Sequence, residues 1–318
     1  MPHRSRLPQR PLTAAVLAAV LVRAGCAPPV PPPAVVPAPA VVAPPSPPPE
    51  TAASAAIRSH YAAVQSALLS QGLLRTDAGG VDAPFTDRNL TENFLRIAMY
   101  EEYAHGQIST TRSQSAIKLL RWAKPVRVSV QFGASIAPAK QAADRARIAS
   151  YLARLADLTG HPITLTDQNP NFWLHVASVD ERAGLGTALS RGLAELTPGQ
   201  IAAVTQMDRD TYCQVLTQSD PATSTYTAAV AVIPSEHPDL LRLSCIHEEL
   251  AQALGLPNDS NAARPSIFND DEEFALLTAQ DELMLRILYN PALRPGMSEA
   301  EARPVVQTLA SRLTGGES

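Results

Sequence analysis

The 318 residues carry 26 Lys and Arg against 30 Asp and Glu, a net charge of −4 spread along the chain. No basic stripe is available to neutralise phosphates, which argues against a nucleic-acid partner. Hydrophobic residues make up 45% of the chain, enough for the part beyond residue 50, about 265 residues, to bury a core.

The first 25 residues read as an export signal of the lipoprotein type. Arg4, Arg6 and Arg10 give a basic start, and the apolar run from Leu12 to Val22 is too short to span a bilayer as a helix. Ala24-Gly25-Cys26 resembles the end of a bacterial lipobox, which makes Cys26 the expected lipidated residue. Arg23 stands where a lipobox has an apolar residue, so ordinary secretion or an uncleaved anchor is the alternative. Ala27 resembles the default for outer-membrane sorting. Residues 26–50 form a tether: twelve of the 23 residues from Ala27 to Pro49 are proline. This composition favours polyproline II and would reach roughly 70 Å. The expected location is the cell envelope, lipid-anchored and facing the periplasm.

Residues 51–318 are expected to form one domain. Residues 51–74 read as a helix with Ile57, Tyr61, Val64 and Leu68 on one stripe. Thr86 can cap a second helix with Leu90, Phe94, Ile97 and Ala98 inward. Residues 125–132 alternate and are β-branched, a strand. A long helix follows from Pro138 and stops at Gly160. Residues 163–166 and 172–177 are two more strands. Thr197-Pro198-Gly199-Gln200 opens a helix. Residues 212–216 and 226–233 can pair as a hairpin. Residues 239–254 form a helix, Asn269-Asp270 is expected to cap another that runs to about Tyr289, and Ser298 to Glu301 is a capping box for the last. The order predicts an α/β (α+β) domain, a mixed β-sheet packed on helices with a helical C-terminal part. Once Cys26 carries a lipid, Cys213 and Cys245 remain, and an even pair in an exported chain predicts a disulfide.

The stretch Glu248-Glu249-Leu250-Ala251-Gln252-Ala253-Leu254-Gly255-Leu256-Pro257-Asn258-Asp259, followed by Ser266-Ile267-Phe268, has the layout of a metal-binding helix and turn. Glu248 and Gln252 are spaced i, i+4 and share a helix face. Gly255 can end the helix, and Asn258 follows. This run is similar to the metzincin pattern His-Glu-x-x-His-x-x-Gly-x-x-His with its later Met-turn. The resemblance implies a zincin-like fold and puts Glu248, Gln252 and Asn258 at the three metal-ligand positions. It also puts Glu249 at the general base and Phe268 where the turn has Met. All three histidines are replaced. The chain also resembles a family of proteobacterial lipoproteins whose domain has no assigned function. That likeness rests on Pro84-Phe85-Thr86, Arg121-Trp122-Ala123-Lys124-Pro125, the run just described, residues 266–270, Leu288-Tyr289-Asn290-Pro291 and Arg294-Pro295-Gly296-Met297.

His247 does not serve as a first ligand, because its partner at i+4 is Ala251. It is expected to be exposed or to bond locally. The acidic run Asn269-Asp270-Asp271-Glu272-Glu273 is expected to complement a helix dipole. Two amides and one carboxylate suit zinc poorly. The expected function is therefore that of an envelope lipoprotein with a degenerate cleft. It would be a non-catalytic binding or structural protein with no cofactor, taking a protein, peptide or glycan ligand. The alternative is an atypical metallohydrolase of the peptidase kind. In that reading Glu248, Gln252 and Asn258 would hold Zn²⁺ or Ca²⁺ and Glu249 would act as base.

Overall fold

The structure is a computed structural model that describes residues 47–101 and 115–316. The expected signal, Cys26 and the tether up to residue 46 lie outside the described residues. No described helix is long and apolar enough to cross a membrane.

The first helices are α1 (Ala52–Ser70) and α2 (Asp87–Ala98). Thr51 caps α1 through the amide of Ser54, and Thr86 forms a reciprocal capping box with Asn89. Leu90, Phe94, Ile97 and Ala98 are buried as their spacing requires. Helix α1 turns in Ser54 and Tyr61 but leaves most of its surface exposed. Short strands β1 (Tyr100–Glu101) and β2 (Ser115–Ala116) pair antiparallel, and β3 (Arg121–Trp122) leads to β4 (Val126–Phe132). Next come α3 (Pro138–Thr159), β5 (Ile163–Leu165) and β6 (Phe172–Ala177). Gly160 ends α3 in the left-handed region at φ 62°.

Three shorter helices follow, α4 (Val179–Arg182), α5 (Gly186–Gly192) and α6 (Pro198–Thr205). The hairpin of β7 (Gln214–Asp220) and β8 (Thr225–Pro234) then enters α7 (Asp239–Gln252). Helices α8 (Ala279–Leu288) and α9 (Glu299–Leu313) close the chain, the latter opened by the Ser298–Glu301 capping box.

The main sheet runs β8–β6–β4–β5, all parallel, with β7 antiparallel on the other edge of β8 and β3 pairing only Thr225 and Tyr226. It is mixed, and helices pack on it as the α/β reading expects. Because side chains alternate along a strand, the two faces hold different cores. On one face Val126, Val128, Val130, Phe172, Leu174, Ala229, Ala231 and Ile233 meet residues of α3, α7, α8 and α9. On the other, Val230 and Val232 meet Leu189, Leu193 and Val204 in a smaller cluster.

Residues 269–278 are not helical. The acidic run lies instead against a distant segment: Leu74 and Arg75 donate backbone hydrogen bonds to the carbonyls of Glu272 and Glu273, and Arg75 bridges to Phe274. Glu272 takes a positive φ of 58°, which breaks any helix there. The helix starts only at Ala279, where Thr278 and Asp281 form a capping box.

Candidate functional site

Helix α7 leaves the C-terminal end of β8 and lies under the sheet, with Ile246 and Leu250 in the main core. Its middle is tied to the residue just before β7 by a disulfide between Cys213 and Cys245. The motif residues occupy its last turn and the loop beyond. Glu248 and Gln252 are half-buried, Glu249 is buried and Asn258 is fully buried.

The end of α7 is held from several sides. The last carbonyls of a helix have no partner within it. Here the Trp122 indole N–H donates to the Ala253 carbonyl at 2.8 Å and the Tyr289 hydroxyl to that of Leu254 at 2.9 Å. Gly255 has a φ of 124°, and a Cβ there would run into the Leu120 carbonyl oxygen. Only glycine fits this turn. Arg121 donates to the carbonyls of Leu288 and Leu293, while Leu119 and the 296–297 turn exchange backbone hydrogen bonds. Four of the phrases that carried the family likeness, those at 121–125, 248–259, 288–291 and 294–297, thus meet in one joint around the end of α7.

Two of the three expected ligand side chains serve that joint. Gln252 Nε2 donates to Asp259 Oδ1 at 3.2 Å. Asn258 Nδ2 donates to the Arg96 carbonyl at 2.9 Å, and its backbone N–H goes to that of Ile97. Both amides therefore fix the motif loop, and Asn258 ties it to the end of α2. The residues do not fit zinc. They offer one carboxylate and two neutral amide oxygens in place of the imidazoles and thiolates zinc prefers. Among the described residues no group of three or more His, Cys, Asp and Glu is placed to hold a metal ion.

His247 is not exposed. It is 7% accessible, stacks on Tyr151 with ring centroids 3.8 Å apart, and accepts the Leu277 N–H at Nδ1. Burial first, then the charge of Arg154, pushes its pKa down to about 3 from 6.5. The unfolded chain takes up a proton below pH 6.5 that the folded chain refuses until about pH 3. Stability tied to this residue is thus present above pH 6.5 and drains as pH falls through that window. In urea unfolding, His247→Asn should lose about 2 kcal/mol less than the wild type between pH 7 and pH 5. Parallel losses in the two proteins would refute this.

Sequence reasoning passed over Ser235-Glu236-His237, between β8 and α7. The signal was available: a polar run directly after a buried parallel strand sits in the crevice where ligands of α/β sheets bind. It also missed Asp281, fully buried and bonded to Ser266 and Thr278.

No curated protein and no solved structure matches the chain. The profile of the family described as "Protein of unknown function (DUF2927)" matches residues 87–308, from the start of α2 into α9. That span is most of the chain and includes the sheet, α7 and the joint around its end, and so the chain belongs to the DUF2927 family.

Proposed function

We propose that the chain is a lipid-anchored envelope protein whose zincin-like framework binds a protein, peptide or glycan and does not cleave it. The observation that carries this reading is the seat of Asn258. The residue at the third ligand position is fully buried, and its amide N–H is bonded to the Arg96 carbonyl as a strut, while its Oδ1, the atom that would face a metal, has no hydrogen-bond partner. Gln252, bonded to Asp259, follows the same pattern. A glutamate in the position of Glu249 needs a metal to acidify water before it can act as a base in amide hydrolysis. The framework itself is consistent with the resemblance: a mixed sheet on helices, with the motif helix following the sheet and turning at Gly255.

Metal analysis of the purified chain without its first 25 residues, after dialysis, tests the reading. No stoichiometric metal is expected, and no thermal shift on adding Zn²⁺ or Ca²⁺. A stoichiometric ion that disappears in Glu248→Ala would overturn the proposal in favour of a metallohydrolase with Glu249 as base. The anchor is tested separately. Cys26→Ser should move the protein from the membrane fraction to the soluble fraction, and an unchanged membrane fraction would count against lipidation.

A further inference from the structure

Helix α1 lies at the other end of α7. The span matched by the family profile begins at residue 87, so α1 stands outside it. Of its 19 residues only Ser54 and Tyr61 are buried. It rests on the sheet's carboxyl edge, where the loops that follow β4 and β8 and the first turns of α3 and α7 surround a cavity of about 490 Å³. Arg58 of α1 lines that cavity together with Ser135, Lys140, Glu236, His237 and Arg242. Such a crevice is where open α/β sheets hold ligands.

What holds α1 down is polar and sparse. Thr51 Oγ donates to Asp180 at 2.6 Å, Ser54 Oγ to Glu236 Oε1 at 2.9 Å, and Gln65 Oε1 accepts the Leu241 N–H at 3.1 Å. The Tyr61 hydroxyl reaches the Thr211 carbonyl only at 3.5 Å, and its ring stands edge-on to His237 with centroids 4.1 Å apart. Exchanging such bonds for water costs little, since a typical intramolecular hydrogen bond adds only about 1 kcal/mol net. The chain beyond α1 is fastened more firmly. Leu74 and Arg75 donate backbone hydrogen bonds to the Glu272 and Glu273 carbonyls, and Arg75 forms ion pairs with Asp77, Asp82 and Glu273. Between helix and anchor stands Gly72 at φ 77°, where a Cβ would touch nothing. Glycine can rotate there without steric cost. Helix α1 therefore has a hinge, a fixed point beyond it and a weak latch.

The surface beneath α1 is incompletely satisfied. Glu236 is fully buried; its Oε1 also accepts the Val179 N–H, while Oε2 has no hydrogen-bond partner in the protein. His237 is 2% exposed and neither ring nitrogen has one. Buried polar groups in a permanent interface are almost always satisfied, and leaving one unmet costs about 1–3 kcal/mol. Lifting α1 relieves this cost, because water then reaches both side chains. The closed position is held by a narrow margin.

We propose that α1 is a hinged lid, turning about Gly72, whose opening brings Glu236 and His237 from the floor of the crevice to the solvent. The lid works at the opposite end of α7 from the motif and does not depend on how the motif is read.

The test uses the chain without its first 25 residues and with Cys26→Ser, which leaves Cys213 and Cys245 as the native disulfide. Hydrogen exchange read by mass spectrometry should show the amides of α1 exchanging as a group, roughly a hundredfold faster than those of α3 and α8. The Leu241 amide should follow α1. Diethyl pyrocarbonate at pH 7 should modify His237 through the open form, while His247, buried away from α1, stays unmodified. A second disulfide, made by Thr51→Cys with Asp180→Cys, should slow both α1 exchange and His237 modification at least about tenfold relative to either single variant. The proposal falls if α1 exchanges no faster than α3 and α8, or if Leu241 stays protected while α1 exchanges, the mark of fraying. It also falls if His237 resists the reagent as His247 does, or reacts as fast with the lid cross-linked as without. The exchange and labelling of the chain without added cysteines decide the question even where the two new cysteines do not pair.

Discussion

Asp281→Ala is expected to destabilise the folded chain by about 4 kcal/mol at pH 7, read by urea unfolding. The carboxylate is fully buried and accepts four hydrogen bonds. They come from Ser266 Oγ at 2.6 Å, the Ile267 N–H at 3.1 Å, the Thr278 N–H at 2.9 Å and Thr278 Oγ at 2.8 Å. Alanine removes both acceptor oxygens and leaves the four donors buried, each costing about 1–3 kcal/mol less what relaxation and water recover. It also deletes one half of the capping box of α8. Burial raises the carboxyl to about 6 from 3.8, against the pull of those hydrogen bonds. Its folded pKa lies above the unfolded one, so the stability it contributes is present below about pH 4 and lost as pH rises through 6. The cost of the substitution should therefore be about 1 kcal/mol larger at pH 5 than at pH 7. A loss below 1 kcal/mol at both values would show that the turn at residues 266–268 does not depend on this residue.

Asp144→Ala should cost about 3–5 kcal/mol, because it strands a buried cation. Asp144 is 1% exposed on α3 and bridges Lys140 at 2.6 Å and Arg242 of α7 at 2.9 Å. Arg242 is itself 4% exposed and otherwise holds only the carbonyls of Ser235 and His237. Taking away the carboxylate leaves that largely buried charge with only neutral direct partners. The double variant Asp144→Ala, Arg242→Met should recover most of the loss, since an apolar side chain of similar volume often replaces a buried pair at no cost. Additive losses in a double-mutant cycle would mean that the two residues act independently.

Much of the architecture was legible because it is locally encoded. Alternation in residues 126–132, the proline and glycine that bound α3, and the capping boxes at Thr197 and Ser298 each act within a few residues. Failures came where distant contacts decide. The 269–278 segment carries helix-start chemistry at Asn269, yet backbone pairing with Leu74 and Arg75, nearly 200 residues away in sequence, draws it into an irregular path. Strand β3 is two residues long and exists through Thr225 and Tyr226. At the candidate site, spacing predicted the helix and its end near Gly255. It could not show that Asn258 would bond to the Arg96 carbonyl, a partner on another helix. Likewise, His247 gave no local hint of the Tyr151 ring on which it stacks.

The two ends of α7 are secured unequally. One is clamped by an indole, a phenol and a close backbone approach; the other begins at Pro238 with no capping side chain of its own and borrows Gln65 from α1. Local opening is drawn from the weakly fastened parts of a fold. The motif end is therefore expected to stay stiff in local opening, while the first turn, held by side chains of α1 and α3, opens only when those helices move away.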